Sequence, residues 1–92
     1  MKIIFSSRAE DDLESIIEFL LDNYPSVYTS FVLRMDVVFR KILEWPRIAT
    51  RVVGQKDIHV IPMVRYPYKI FYKVTPDGIE ILQVSHDARR PD

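Results

Sequence analysis

The clearest structural signal in the sequence is the segment Tyr68-Lys69-Ile70-Phe71-Tyr72-Lys73-Val74-Thr75-Pro76-Asp77-Gly78-Ile79-Glu80-Ile81-Leu82-Gln83. Its first half alternates with the period of a strand that buries one face, formed by Tyr68, Ile70, Tyr72 and Val74. The segment Thr75-Pro76-Asp77-Gly78 predicts a turn, because Pro76 fixes φ and Gly78 accepts a left-handed backbone. After the turn, the alternation resumes at Ile79, Ile81 and Gln83. Residues 68–83 therefore predict a β-hairpin.

Two further strands are predicted outside this hairpin. Immediately upstream, apolar residues alternate at Ile58, Val60, Pro62 and Val64. At the start of the chain, residues 2–6 contain a β-branched and aromatic run that is typical of a buried strand.

Between these strands the apolar period becomes helical. A first helix is predicted to begin at Ser7, which with Glu10 fits a capping box. Its apolar stripe comprises Ala9, Leu13, Ile16, Ile17, Leu20 and Tyr24. A second helix follows Pro25 and ends at Trp45-Pro46, because Pro46 disfavours helix in the residue before it. The second stripe comprises Tyr28, Phe31, Met35, Val38, Phe39 and Ile42.

The resulting order, β-α-α-β-β-β, predicts a two-layer α+β domain with a helical hairpin packed on one face of an antiparallel sheet. Residues 1–92 are expected to form a single domain, because a second core would be too small at this length. The chain has no cysteine, which excludes disulfides, thiol nucleophiles and Cys-ligated zinc. No apolar run approaches the roughly 20 residues of a membrane span. We therefore expect a cytoplasmic protein that needs no cofactor, metal or membrane.

Charge is divided unevenly along the chain. The formal net charge is zero, with 13 basic and 13 acidic side chains. Residues 1–46 have a net charge of −3 and residues 47–92 a net charge of +3. A surface that faces an anion is therefore expected in the second half.

The second half also contains the side chains with the most useful chemistry. His59 and His86 are the only groups whose unperturbed pKa lies near neutrality, so acid–base catalysis would fall to them. Arginine and tyrosine can grip phosphate and stack on bases; the candidates are Arg65, Tyr66, Tyr68, Lys69, Tyr72, Lys73, Arg89 and Arg90. The alternative is an ordinary half-buried strand with a solvated lysine face, and the residue pattern favours this alternative when taken alone.

Three segments together resemble a known family. They are Phe5-Ser6-Ser7-Arg8-Ala9-Glu10-Asp11-Asp12-Leu13, Arg65-Tyr66-Pro67-Tyr68-Lys69-Ile70-Phe71-Tyr72 and Ile81-Leu82-Gln83-Val84-Ser85-His86-Asp87-Ala88-Arg89-Arg90-Pro91. In this order the chain resembles, over nearly its whole length, the RelE/ParE superfamily of toxins from bacterial type II toxin–antitoxin systems. The terminal His-x-x-Arg-x-Pro segment is similar to the ParE branch.

The resemblance implies a toxin that a cognate antitoxin neutralises in a hetero-oligomeric complex. ParE members are associated with poisoning DNA gyrase, whereas RelE members cut messenger RNA on the ribosome. A neutral chain favours gyrase, since a ribosome-dependent nuclease sits among RNA phosphates and is usually strongly basic. An endoribonuclease and a non-toxic, antitoxin-binding remnant remain as alternatives, so whether the chain is an enzyme stays open.

Site residues follow from the resemblance and from the apolar pattern. The resemblance implies target-binding residues, which we take as Arg65, Tyr68, Lys69, Tyr72, His86, Arg89 and Arg90. A nuclease would use His86 as general acid or base, with Arg65 and Lys69 on the phosphate. His59 stands where many ParE-like sequences have arginine. The helical pattern leaves Leu33, Val37 and Phe19 outside the core stripes, and we expect these to bind the antitoxin.

Overall fold

The computed structural model describes residues 2–55 and 57–86, and it confirms the α+β class. A strand is followed by two helices and four further strands. Their bounds are β1 Lys2–Phe5, α1 Ser7–Asn23, α2 Pro25–Glu44, β2 Thr50–Arg51, β3 Ile58–Pro62, β4 Tyr68–Thr75 and β5 Gly78–His86. The two-residue strand β2 is an addition to the predicted elements, because its residues lack the alternation that reveals longer strands.

All five strands form one sheet in the order β1-β5-β4-β3-β2. Strands β5, β4 and β3 are antiparallel neighbours, as predicted. The added strand β2 is antiparallel to β3, and β1 pairs with β5 in parallel. Gly78 stands opposite Lys2 in that pairing, and a Cβ at Gly78 would overlap the Lys2 carbonyl oxygen. Glycine at the hairpin turn therefore also lets the first strand approach the last one.

A β-bulge in β5 changes which residues face the helices. Phe71 stands opposite Gln83 and Tyr72 opposite Ile81, so Leu82 has no partner across β4. The extra residue shifts the alternation by one position. The prediction that Gln83 continues the buried face is therefore wrong, and Val84 takes that place.

The N-cap of the first helix lies one residue earlier than the capping box predicts. Ser6, and not Ser7, is the N-cap, and its hydroxyl accepts a hydrogen bond from the Ala9 amide at 3.0 Å. The same hydroxyl donates to the Leu82 carbonyl at 2.8 Å. Asp12, one turn later, accepts from the Val84 amide at 3.0 Å. The start of α1 is thus attached to the edge of β5 beyond the end of β1.

The core lies between the helical hairpin and one face of the sheet. The helices contribute Ala9, Ile16, Leu20, Phe31, Met35, Val38 and Ile42, and the sheet contributes Ile70, Tyr72, Ile79, Ile81 and Val84. Pro25 occupies the first turn of α2, where its missing N–H needs no partner. The predicted stripes are confirmed at Ala9, Leu13, Ile16, Leu20, Phe31, Met35, Val38, Phe39 and Ile42, whereas Tyr24, which joins the helices, is exposed.

Strand β3 presents a different face to the core from the one predicted. His59 is buried and stands opposite Tyr72, and Ile61 stands opposite Ile70. Val64, predicted to continue the alternation, lies in the following turn and is exposed. None of the helices in the described ranges is long and apolar enough to cross a membrane.

Candidate functional site

Tyr68 and His86 form an aromatic pair where β5 ends, which we call the open pair. They are cross-strand neighbours, and their rings meet edge to face at 5.6 Å and 85°. Tyr68 also packs edge to face on the buried ring of Phe31 at 5.8 Å, so the pair lies on the helix side of the sheet. Burial raises the pKa of the Tyr68 hydroxyl, which therefore stays protonated at neutral pH. His86 remains exposed beside it.

Lys69 lies on the opposite face of the sheet from this pair. Its cross-strand neighbour is Ser85, and its Nζ atom lies 5.6 Å from the centre of the Phe71 ring, within the range of a cation–π contact. Lys73 follows four residues after Lys69 on the same face, opposite Glu80. The face away from the helices therefore carries two lysines and an aromatic ring.

Arg65 lies in the turn between β3 and β4, on the helix side. Its φ of 77° is in the left-handed region, which is uncommon for arginine. The Met63 amide donates to the Tyr68 carbonyl at 2.9 Å, and the Tyr66 amide donates to the Met63 carbonyl at 3.2 Å, so hydrogen bonds hold the turn. Arg65 borders a cavity of about 240 Å³ formed with α2; the other lining residues are Ser30, Leu33, Arg34, Val37 and Tyr66.

Of the three residues that a nuclease would use, Lys69 faces away from the other two. His86 points to the helix side of the sheet and Lys69 to the other side. Arg65 borders the cavity beside α2. A general acid or base must lie within about 3 Å of the proton it transfers, with the phosphate-binding groups around the same phosphate. Lys69 and His86 point to opposite sides of the sheet, so these two residues do not meet that requirement.

Tyr72 is a core residue, which corrects the expectation that it binds a target. It is completely buried, and its hydroxyl donates to the Pro46 carbonyl at 2.8 Å. Burial raises the pKa of this hydroxyl, and a backbone hydrogen bond with Ala49 opposes the rise. The ring stacks on His59 at 5.3 Å and 16°.

His59 is likewise placed in the interior. It is only 2% exposed, and its Nδ1 atom lies 3.1 Å from the Ala49 carbonyl, which can only accept, so Nδ1 carries a proton. We call His59 and Tyr72 the closed pair. His59 therefore serves packing, and it presents no surface that could bind a phosphate or a carboxylate.

The residues expected to bind the antitoxin are accessible. Leu33 and Val37 are 62% and 41% exposed and form one ridge on α2. Phe19 is half-exposed on α1 and packs against Tyr24 at 5.9 Å. Arg89 and Arg90, expected to bind the target, lie outside the described residues.

Two features of the cavity beside α2 escaped the sequence analysis. Arg34 lies between Leu33 and Val37 on α2. It follows Ser30 by four residues and precedes Val37 by three, a helical spacing that places all three on one face and could have revealed Arg34 as part of the cavity. The Ser30 and Tyr66 hydroxyls lie 2.7 Å apart although 36 residues separate them, and nothing in the local pattern predicts such a contact.

No group of three or more histidine, aspartate or glutamate side chains that could hold a metal occurs in residues 2–55 and 57–86.

Almost the whole chain matches one protein family. Residues 3–91 match the model of the ParE toxin of type II toxin–antitoxin systems, parDE. The chain belongs to the ParE toxin family. Comparison of this ParE-family toxin with curated protein sequences gives no match.

Solved structures share the fold of this ParE-family toxin. The chromosomal ParDE system of P. aeruginosa superposes with a TM-score of 0.77 at 17% identity, covering 94% of this chain and 95% of that one. A mutant E. coli RelE toxin in complex with an antitoxin RelBc peptide gives 0.66 at 19% identity, with 96% and 83% covered. The intact E. coli RelBE complex gives 0.57 at 23% identity, with 96% of both chains covered. The ParE toxin thus has the RelE/ParE-like fold.

Proposed function

We propose that this toxin inhibits DNA gyrase by binding it and does not cut messenger RNA. The observation that carries this proposal is the separation of the nuclease candidates. His86 lies on the helix side of the sheet and Lys69 on the other side. The second histidine, His59, is enclosed in the core and out of reach of a substrate. A protein that only binds its target needs no such convergence.

The net charge supports the same proposal. A protein that binds among RNA phosphates gains affinity from each neutralised phosphate, and a chain with equal numbers of acidic and basic groups lacks that excess. Positive charge is instead concentrated in one place, because Lys69 and Lys73 both lie on the face of the sheet away from the helices. We assign target binding to Arg65, Tyr68, Lys69 and His86, together with Arg89 and Arg90 beyond the described residues.

A cognate antitoxin is the partner that keeps the toxin inactive. The P. aeruginosa relative is a ParDE system, and the E. coli relatives include toxin–antitoxin complexes. We propose that the antitoxin covers the ridge of Leu33 and Val37 and extends to Phe19, since exposed aliphatic side chains on adjacent helical turns fit the apolar face of an amphipathic helix.

The proposal is tested with purified toxin, DNA gyrase and a supercoiled plasmid. We expect loss of supercoiling and accumulation of cleaved DNA bound to gyrase. Lys69→Gln should raise the toxin concentration for half-inhibition about fivefold or more, because it removes a positive group from the proposed contact surface. Lys41→Gln, which removes the same charge from an exposed position on α2, is the matched control and should change it less than twofold.

Ribosomes translating a defined messenger RNA form the second arm of this experiment. Cleavage of the messenger at codon boundaries, with supercoiling untouched, would contradict the gyrase proposal and favour the endoribonuclease. A toxin that does neither, and still binds its antitoxin, would be the non-toxic remnant.

A further inference from the structure

Two arginines line the cavity between α2 and the β3–β4 turn. Arg34 is half-buried and Arg65 is exposed. In the part of the chain that the structure describes, ion pairs form at Arg8–Asp12 and Arg40–Asp36, and neither cavity arginine has a carboxylate within 4.0 Å. Two arginines that line a cavity of about 240 Å³ give it a local positive potential, which favours an anion.

The polar wall of the cavity is already satisfied from within the protein. The Ser30 hydroxyl donates to the Val27 carbonyl at 2.9 Å, so it accepts at 2.7 Å from the Tyr66 hydroxyl. The Tyr66 ring is braced edge to face against the buried ring of Phe31 at 5.4 Å. The donors left for a ligand are therefore the guanidinium groups, held beside a fixed wall.

The remaining lining is aliphatic and accessible. Leu33 and Val37 contribute to the same cavity and are both exposed. A free inorganic anion would leave these side chains in water, whereas a peptide helix can cover them while presenting an acidic side chain to the arginines. The lining therefore favours an amphipathic peptide over a small ion.

The backbone of Arg65 is a further sign that the guanidinium matters at this place. A φ of 77° is unfavourable for a residue with a long side chain, and glycine or asparagine would adopt it more easily. Strained backbone of this kind is found where a side chain must be aimed.

We propose that the cavity receives an aspartate or glutamate side chain of the antitoxin, clamped between Arg34 and Arg65, while neighbouring aliphatic residues of the same segment cover Leu33 and Val37. The inference rests on the proposed antitoxin binding and adds the ligand chemistry of its site. It also moves Arg65 from the target-binding residues to the antitoxin-binding residues.

The test is a calorimetric titration of the full-length toxin with the protein encoded by the adjacent gene. Arg34→Gln with Arg65→Gln should weaken binding about 30-fold or more and make the affinity less dependent on salt. Arg34→Lys with Arg65→Lys should recover only part of the affinity, because lysine keeps the charge and lacks the planar fork. Arg47→Gln with Arg51→Gln, both exposed, is the charge-matched control and should weaken binding less than threefold.

Each other result overturns the inference. Equal weakening by the two arginine-to-glutamine pairs would show long-range attraction and no clamp. Unchanged affinity, while Leu33→Glu with Val37→Lys abolishes binding, would leave the antitoxin ridge standing and remove the clamp. A wild-type toxin that does not bind the neighbouring protein would overturn both the ridge and the clamp. Arg65→Asn, which suits the backbone of the turn, repeats the measurement if the double variant does not fold.

Discussion

Strand β4 contributes the tyrosine of two tyrosine–histidine pairs, both on the same face of the sheet, and the two pairs differ in their exposure to solvent. In the closed pair, Tyr72 and His59 are stacked and buried, whereas in the open pair Tyr68 is half-buried and His86 is exposed. The two tyrosines are only four residues apart, so the strand pattern treats them alike. Alternation thus determines which face a residue occupies, and it does not determine whether that face is covered.

The cover over the closed pair comes from the segment between α2 and β3. The Pro46 carbonyl accepts from the Tyr72 hydroxyl, and the Ala49 carbonyl accepts from His59. Each polar tip of the closed pair therefore has a backbone partner, as a buried polar group requires. At the other end of β4 the open pair has Phe31 below it, and His86 remains accessible. The closed end should therefore control stability and the open end recognition.

Truncation of each tyrosine tests directly whether the closed end contributes more to stability than the open end. Tyr72→Ala should lower the free energy of unfolding by about 3–5 kcal/mol, because it empties a fully buried site and leaves the Pro46 carbonyl without its donor. Tyr68→Ala, at a half-buried site, should lower it by about 2 kcal/mol. Urea denaturation measures both. Equal losses would show that the two ends contribute alike.

Alkaline pH tests the burial of the two tyrosines without removing them. Burial raises the pKa of both hydroxyls above the unfolded value of 10.0. Above about pH 10 the unfolded chain loses these protons first, so the free energy of unfolding falls as pH rises, by about 1.4 kcal/mol per unit of pKa difference.

Stability measured by urea denaturation between pH 8 and 11 checks this dependence. Tyr68→Phe with Tyr72→Phe should flatten the decline, and Tyr24→Phe, at an exposed tyrosine, is the matched control. A decline of unchanged slope in the double variant would show that the decline has another origin.

Substitution of Arg65, in the turn beside the open pair, is expected to change stability least. Arg65→Asn places a residue that tolerates the left-handed backbone in the turn, so the free energy of unfolding should stay the same or rise by up to about 1 kcal/mol. Thermal denaturation measures this effect. A loss of more than 1 kcal/mol would show that the arginine side chain stabilises the turn.

Most of the fold follows from local pattern. The two helices and the hairpin of residues 68–83 are visible because their apolar periods differ and a turn separates the two strands. The face of β3 was not predictable in the same way, because Ile58, Val60 and Ile61 make both faces of that strand apolar. Its register with β4 places His59 inside, and that register depends on Tyr72 and on contacts with residues 46–49.

The candidate site was predictable only in part. The exposure of Leu33 and Val37 follows from helical geometry. The meeting of Arg34 with Arg65 depends on how a turn approaches a helix 31 residues earlier in the chain, and no local period encodes that approach. The β-bulge at Leu82 also escaped prediction, since one unpaired residue leaves the composition of a strand unchanged.

The parallel pairing of β1 with β5 has a consequence for synthesis. Lys2 pairs with Gly78, so β1, which is made before β5, has no partner strand in the sheet until residues 78–81 have been translated. The helical hairpin can form early, because its contacts are local, whereas this closure spans 76 residues and is intrinsically slow. The five-stranded sheet of the nascent toxin is therefore incomplete until β5 has left the ribosome.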